Sequence, residues 1–109
     1  MDRKKLGLLG EDTAAEYLMR DGYRIIERNF KCKLGEIDII ARRGDTLAFV
    51  EVKTRQDDFF GRPSEAVGSK KQQHIRRVAE IFLYRKKLNP MKIRFDVMEV
   101  EINHIKDAF

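Results

Sequence analysis

Two charged residues stand in a segment that otherwise has the pattern of a buried strand. FVEVKTR, running from Phe49 to Arg55, is rich in strand-forming apolar residues but contains Glu51 and Lys53. Because side chains along a strand alternate between its two faces, both charges share a face with Phe49. A carboxylate and an ammonium group so placed could bind a cation and hold a water molecule or a phosphate beside it.

A further acid is predicted to face this segment from the preceding strand. The segment GEIDIIARR is joined to it through Gly and Asp at positions 44–45, a signal for a two-residue hairpin turn. That turn would set Asp38 directly opposite Glu51. Like charges opposed in a sheet are destabilising, so the two carboxylates would need a shared proton or a cation.

Helical spacing gives the first segment an apolar stripe that also contains an acid: Leu8, Glu11, Ala15 and Leu18. Glu11 is therefore expected to face the sheet, where a carboxylate neutralises, pairs or binds a metal. Together with Asp38 and Glu51 it would form an oxygen-rich site for Mg²⁺. Lys53 would hold an attacking water or stabilise charge on a phosphate.

Three alternatives require no metal. Glu11 could lie at the rim of its helix, where an acid favours the first turn. Glu36, opposite Lys53 in the same register, could form an ordinary cross-strand ion pair with it. Asp38 and Glu51 could both point to water, although the apolar residues that share their face argue against full exposure.

Periodicity and turn signals predict the elements that position these residues. In chain order they are a helix at about Lys4 to Asp21, strands over Tyr23–Phe30, Gly35–Arg43 and Thr46–Arg55, a loop from about Gln56 to Gly68, a helix from Ser69 to about Lys87, and a strand over Lys92–Ile102. Ser69 and Gln72 predict a capping box at the start of the second helix. The order α-β-β-β-α-β predicts a mixed sheet with helices packed on it, an α/β or α+β fold.

Composition narrows the class of protein. The 109 residues suffice for one domain, predicted to span 1–109, and 42% are hydrophobic while 38% are charged. The net charge of +5 favours anionic partners such as nucleic acid. No apolar run has the length of a membrane span or a signal-peptide core, so no membrane partner is expected. The single cysteine, Cys32, excludes an internal disulfide and predicts a cytoplasmic protein.

The motifs GEIDII and FVEVKTR resemble the paired core motifs of the PD-(D/E)xK nuclease superfamily, with the acid at Asp38 and the E-x-K at Glu51 and Lys53. Over nearly its whole length the chain also resembles the small bacterial YraN family, which is endonuclease-like and similar to archaeal Holliday junction resolvases. The segments that carry this resemblance are GEDTAAEYL, GYRIIERNF, GEIDIIA, FVEVKTR and RFDV. Ile37 stands where the superfamily motif has proline.

The resemblance implies a restriction-endonuclease-like fold, a central mixed sheet flanked by helices, and hydrolysis of DNA phosphodiesters with Mg²⁺ or Mn²⁺. It implies that Glu11, Asp38 and Glu51 bind the metal and that these three residues and Lys53 are catalytic. By analogy it also implies branched DNA as a substrate and a homodimer. Two other interpretations stay open. One is a non-catalytic nucleic-acid-binding or partner-binding module whose acids form an ion-pair network, and the other is a purely structural protein.

Several basic residues are predicted to contact phosphates: Arg42, Arg43, Arg55, Arg62, Lys70, Lys71, Arg76 and Arg77. Lys71 precedes the apolar stripe of the second helix and is expected to point toward the sheet, and backbone N–H groups at that helix start also favour phosphate. Gln72 or Gln73 would add a polar contact. Phe59 and Phe60 would either stack on splayed bases or pack beneath their loop.

Overall fold

The computed structural model describes residues 1–56 and 67–109. Two helices and four strands follow in the predicted order: α1 (Arg3–Arg20), β1 (Arg24–Cys32), β2 (Gly35–Arg43), β3 (Thr46–Gln56), α2 (Ser69–Lys86) and β4 (Lys92–Ile102). The bounds of β2 and β4 and the starts of β3 and α2 are those predicted, and the other bounds differ by one or two residues. No helix within the described ranges is long and apolar enough to cross a membrane.

The four strands form one mixed sheet in the order β1-β2-β3-β4. β1, β2 and β3 are antiparallel neighbours joined by short turns, whereas β4 runs parallel to β3. A parallel neighbour requires a crossover connection, and α2 lies in that connection. The predicted mixed sheet and α+β fold are therefore confirmed.

The β2–β3 hairpin has the register that its turn predicts. Pairing runs from Arg43 with Thr46 to Ile39 with Val50, and Gly44 takes the positive φ of 59° that the tight turn needs. Beyond Ile39 the two strands part: β2 continues to pair with β1, and β3 with β4. We call this point, formed by residues 36–38 of β2 and 51–53 of β3, the strand fork.

Each face of the sheet carries one helix and one apolar cluster. The α1 face buries Ala14, Ala15, Leu18, Tyr23, Ile39, Ala41, Ala48 and Val50. The α2 face buries Phe30, Ile37, Ile40, Leu47, Phe49, Val78, Ala79 and Phe82, with Ile75 and Phe95 packed beside them. The stripe predicted for α2 is confirmed, and Ile40, Leu47 and Phe49 share the α2 face of the sheet.

The stripe predicted for α1 is correct except at Leu8, which is 51% exposed. α1 approaches the sheet closely at Gly10, where a Cβ would overlap the side chain of Thr54 in β3. At 3.6 residues per turn, Leu8 lies on the opposite side of the helix from Gly10. The sheet-facing positions are therefore those close to Gly10 around the helix, which include Leu6 and Ala14.

The capping box predicted at the start of α2 is wrong. Gly68 occupies the N-cap position, and no side chain caps the helix there. The Gln72 side chain instead donates a hydrogen bond of 2.7 Å to the carbonyl of Val67. Ser69 is already within the helix, so its hydroxyl lies one position too late to act as the cap.

Candidate functional site

Two carboxyl groups meet at the strand fork. Asp38 and Glu51 each lie one residue beyond the last β2–β3 pair, and each carboxyl affects the pKa of the other. Asp38 Oδ2 also accepts a hydrogen bond of 2.7 Å from the backbone N–H of Val52. This bond satisfies a β3 donor where β2 no longer pairs with it. We call Asp38 and Glu51 the acid pair.

The surroundings of the acid pair favour its protonated form. Burial raises the pKa of the Asp38 carboxyl, the hydrogen bond from Val52 opposes that shift, and the negative charge of Glu11 adds to it. Burial also raises the pKa of Glu51, and the charge of Asp38 raises it further, while Lys71 opposes the shift. These shifts favour a proton or a cation shared between the two carboxyls, which is what the sequence predicts for two acids placed opposite each other.

Glu11 is buried, with 8% of its surface exposed, and so it does not lie at a helix rim. Its Oε1 atom accepts hydrogen bonds of 2.9 Å from Arg28 Nε and from Asn29 Nδ2. The Nη2 of Arg28 also donates to Asp12 at 2.6 Å. Asn29 has a left-handed backbone with φ of 56°, a conformation that asparagine tolerates better than most residues. Glu11 is thus tied to β1.

The predicted set of three metal-binding acids is only partly assembled. The charge of Glu11 raises the pKa of Asp38, but its carboxylate is directed to Arg28 and Asn29. Across residues 1–56 and 67–109, no three His, Cys, Asp or Glu side chains group in a way that could hold a metal ion. The structure brings together Asp38 and Glu51, and it holds Glu11 apart through its own hydrogen bonds.

A broad groove of about 870 Å³ lies between the first turns of α1 and the strand fork. Its lining combines basic, acidic and apolar residues: Arg3, Lys4, Leu6, Gly7, Leu8, Glu11, Asn29, Glu36, Asp38, Val52, Lys53, Thr54 and Arg55. The predicted catalytic lysine, Lys53, therefore lines the same groove as Asp38. Four basic residues along one groove suit a run of phosphate groups.

A smaller cavity of about 270 Å³ lies on the other side of the sheet, beneath the start of α2. Glu51 and Gln72 line it together with apolar residues that include Ile75 and Phe95. The predicted orientation of Lys71 toward the sheet is confirmed, because its Nζ lies 3.5 Å from Glu51 Oε1. The acid pair therefore borders two openings: Asp38 lines the groove beside α1, and Glu51 lines the cavity beneath α2.

The basic residues predicted to contact phosphates do not form one surface. Arg42 and Arg43 lie at the hairpin turn, where Arg42 Nε donates 3.0 Å to the carbonyl of Gly44 and Arg43 pairs with Asp21. At about 3.3 Å per strand residue, Arg42 is roughly 13 Å from Asp38 along β2. The structure therefore does not bring either arginine to the acid pair.

The remaining predicted contacts are distributed between the groove and α2. Arg55 lines the groove, Lys70 is exposed in the first turn of α2, and Lys71 pairs with Glu51. Arg76 stacks over the Phe95 ring, 4.7 Å from its centre. Arg62, Phe59 and Phe60 lie outside the described residues.

Four residues at the site were not predicted from the sequence. Arg3 and Lys4 line the groove, and Lys4 precedes Glu11 by two helical turns, so this spacing was a usable signal. Arg28 and Asn29 hold Glu11. The backbone of Asn29 interrupts the strand alternation at that point, and for this reason a period-two pattern gave no signal for either contact.

The residues of the acid pair fit a hard divalent cation. Two neighbouring carboxyls, each with a raised pKa, form a site whose negative charge a cation would stabilise. Mg²⁺ typically binds proteins through one or two carboxylates, retained waters and substrate phosphate. Asp38 and Glu51 can supply that carboxylate set, and the groove beside them has room for the phosphate.

The fold and the site define a small α+β protein with an acid pair at a strand fork beside a basic groove. The family model described as "Uncharacterised protein family UPF0102" matches residues 10–100. A UPF0102 protein of Caldicellulosiruptor saccharolyticus is 51% identical over 118 aligned residues that cover all of both chains. A UPF0102 protein of Caldicellulosiruptor bescii is 48% identical over all of both chains, and one of Alkaliphilus oremlandii is 49% identical over 97% of this chain and 98% of its own. This chain belongs to the UPF0102 family, which confirms the YraN-type resemblance.

Proposed function

We propose that this protein is a nuclease that hydrolyses DNA phosphodiesters with a divalent metal ion. The observation that carries the proposal is that Asp38 and Glu51 face each other at the strand fork, one residue beyond the last β2–β3 pair, and perturb each other's pKa. Two acids held together in a partly buried place are destabilising unless they share a proton or bind a cation. Perturbed acids in a cleft are characteristic of functional sites.

Asp38 and Glu51 would hold the metal ion through their carboxylates. When bound, Mg²⁺ supplies Lewis-acid stabilisation of charge on the phosphate and lowers the pKa of a coordinated water. The hydrogen bond from Val52 keeps the Asp38 carboxylate oriented toward the fork. Lys53 lines the groove next to Asp38, where an ammonium group can orient the attacking water or stabilise charge on the phosphate.

The groove supplies the surface for the rest of the substrate. Arg3, Lys4 and Arg55 line it together with Lys53, and their positive charges match successive phosphates of a DNA strand. DNA is the substrate class that this charge and the family resemblance favour. Branched DNA, and a homodimer that would cut two of its strands, are carried by the resemblance alone.

A cleavage assay tests the proposal. The purified protein is incubated with duplex, nicked, single-stranded and four-way-junction DNA in Mg²⁺ or Mn²⁺. Wild type should cleave at least one substrate, and Glu51→Ala and Lys53→Met should each lose about 100-fold or more of that activity. Glu80→Ala removes an exposed acid of α2 and serves as the matched control, with activity unchanged.

The circular dichroism of the variants separates loss of chemistry from loss of fold. Glu51→Ala should keep the secondary structure of wild type, because it removes one member of a repelling pair. If wild type cleaves none of the four substrates with either metal, the nuclease proposal fails.

One observation favours a second candidate, a nucleic-acid-binding module without catalysis. Two of the three acids already form ion pairs, Glu11 with Arg28 and Glu51 with Lys71. In that case the acids serve as a partly satisfied ion-pair network. DNA would then bind without any requirement for Mg²⁺, and calorimetry would detect no Mn²⁺ binding that Glu51→Gln removes.

A further inference from the structure

Lys71 reaches the acid pair from the first turn of α2. Its Nζ lies 3.5 Å from Glu51 Oε1, and the two side chains differ in exposure, at 54% for Lys71 and 17% for Glu51. The acid is therefore held in the fold, while the ammonium approaches it from the solvent side. A lysine side chain is a flexible stem with a compact charge at its end, so it can leave such a contact without moving the backbone.

The charge of Lys71 acts on both members of the acid pair. It lowers the pKa of Asp38 and of Glu51, in opposition to their burial. Helix stability does not account for a lysine at this place, because a positive charge in the first turn opposes the helix dipole. The first turn of α2 contains no acid that would compensate it. The acid pair does account for it.

We infer that Lys71 is the resident counter-ion of the acid pair and that it competes with the divalent cation for Glu51. The inference rests on the proposed function for the identity of that cation. An ammonium group and a metal ion cannot both lie against one carboxylate oxygen without strong repulsion. Metal binding therefore displaces Lys71, and Lys71 sets the concentration at which the site fills.

Isothermal titration calorimetry with Mn²⁺ and with Mg²⁺ tests this inference without any need for cleavage. The titrations compare wild type, Lys71→Met, Lys70→Met and Glu51→Gln at about pH 8, where ordinary carboxyl groups are ionised. Lys71→Met should bind each metal about threefold more tightly, the amount expected from removing a partly exposed ion pair. Lys70→Met removes the same charge one residue away and should leave the affinity unchanged.

The outcomes separate this inference from the proposed function. Metal binding that Glu51→Gln abolishes, with equal affinity in wild type and Lys71→Met, overturns the inference and leaves the nuclease proposal standing. An equal gain in Lys70→Met and Lys71→Met also overturns it, because general electrostatics would then suffice. If neither wild type nor Lys71→Met binds metal, the metal site itself fails, and the counter-ion role fails with it.

Discussion

The backbone N–H of Val52 donates a hydrogen bond of 2.7 Å to Asp38 Oδ2 across the point where β2 and β3 stop pairing. The same carboxyl is a member of the acid pair. Asp38 thus has two separable roles, since its oxygen satisfies a strand donor and its charge contributes to the site. Substitutions that remove the charge alone, or the oxygen as well, should have different effects.

Asp38→Asn should retain more stability than Asp38→Ala. The asparagine amide oxygen can still accept the bond from Val52, and loss of the charge relieves the repulsion with Glu51. Alanine leaves a half-buried N–H without its acceptor, at a cost of about 1–3 kcal/mol. Urea denaturation at neutral pH measures the free energy of unfolding of both variants. Equal stability of the two variants would mean that the hydrogen bond from Val52 contributes nothing to the stability of the fold. Both variants should lose metal binding.

The contribution of the acid pair to the stability of the metal-free protein should fall as the pH rises. Burial raises the pKa of both Asp38 and Glu51, so the folded state binds their protons more tightly than the unfolded state does. Their contribution is fully present below their ordinary pKa values and is lost as the pH passes through the raised ones. Urea titrations from about pH 4 to pH 8 measure this slope. A double variant, Asp38→Asn with Glu51→Gln, should lack this part of the slope, and an unaltered slope would contradict the assignment.

Divalent metal should reverse this dependence on pH. A ligand that binds only the folded state stabilises it in proportion to its saturation, and the metal requires ionised carboxylates. Saturating Mg²⁺ should therefore raise the free energy of unfolding at about pH 8 and have little effect at about pH 4. The same addition to Glu51→Gln is the control. Equal stabilisation at both pH values would indicate that Mg²⁺ acts elsewhere than at the acid pair.

Gly10→Ala and Gly7→Ala should change stability in opposite directions. A Cβ at Gly10 would overlap the side chain of Thr54, whereas nothing lies within 4 Å of one added at Gly7. The first substitution overpacks the contact between α1 and β3 and should cost about 1–3 kcal/mol. The second replaces an exposed helical glycine and should gain about 0.5–1 kcal/mol. Thermal unfolding of both variants measures the difference in stability. If Gly7→Ala were destabilising as well, the contact between Gly10 and Thr54 would not explain the effect of Gly10→Ala.

Glu11→Gln should be far more destabilising than Glu16→Gln. Both acids are on α1 and pair with arginine, but Glu11 is buried and holds Arg28 and Asn29, while Glu16 meets Arg20 on the surface. Loss of a charged hydrogen bond in a buried place costs about 1.5–3 kcal/mol, and an exposed i,i+4 pair contributes at most about 0.5 kcal/mol. Urea denaturation compares them. A cost for Glu11→Gln as small as that for Glu16→Gln would show that the bonds to β1 do not anchor the helix.

The parts of the site that follow from regular periodicity could be predicted from the sequence. The turn at positions 44–45 determined the hairpin register, and with it the meeting of Asp38 and Glu51. Helical spacing determined that Glu11 faces the sheet. These predictions succeeded because each depends only on the repeat of one element and the geometry of one turn.

The remaining features depend on contacts between elements, which no single period encodes. The exposure of Leu8 follows from the close approach of Gly10 to Thr54, a fact about two distant segments. The hold of Asn29 on Glu11 depends on one residue with a left-handed backbone within a strand. The distribution of the basic residues depends on how the elements meet, since Arg3 and Lys4 reach the groove from α1 and Lys71 reaches Glu51 from α2.

β2 reaches β3 through a two-residue turn, whereas β4 reaches β3 only after the chain has passed through α2. Hairpins form within microseconds, and pairings between segments far apart along the chain form much later. We therefore expect refolding to bring Asp38 and Glu51 together before Lys71 arrives to offset their charge. Repulsion between the two carboxylates should therefore slow refolding at alkaline pH. The later docking of α2 brings Lys71 and should offset that repulsion.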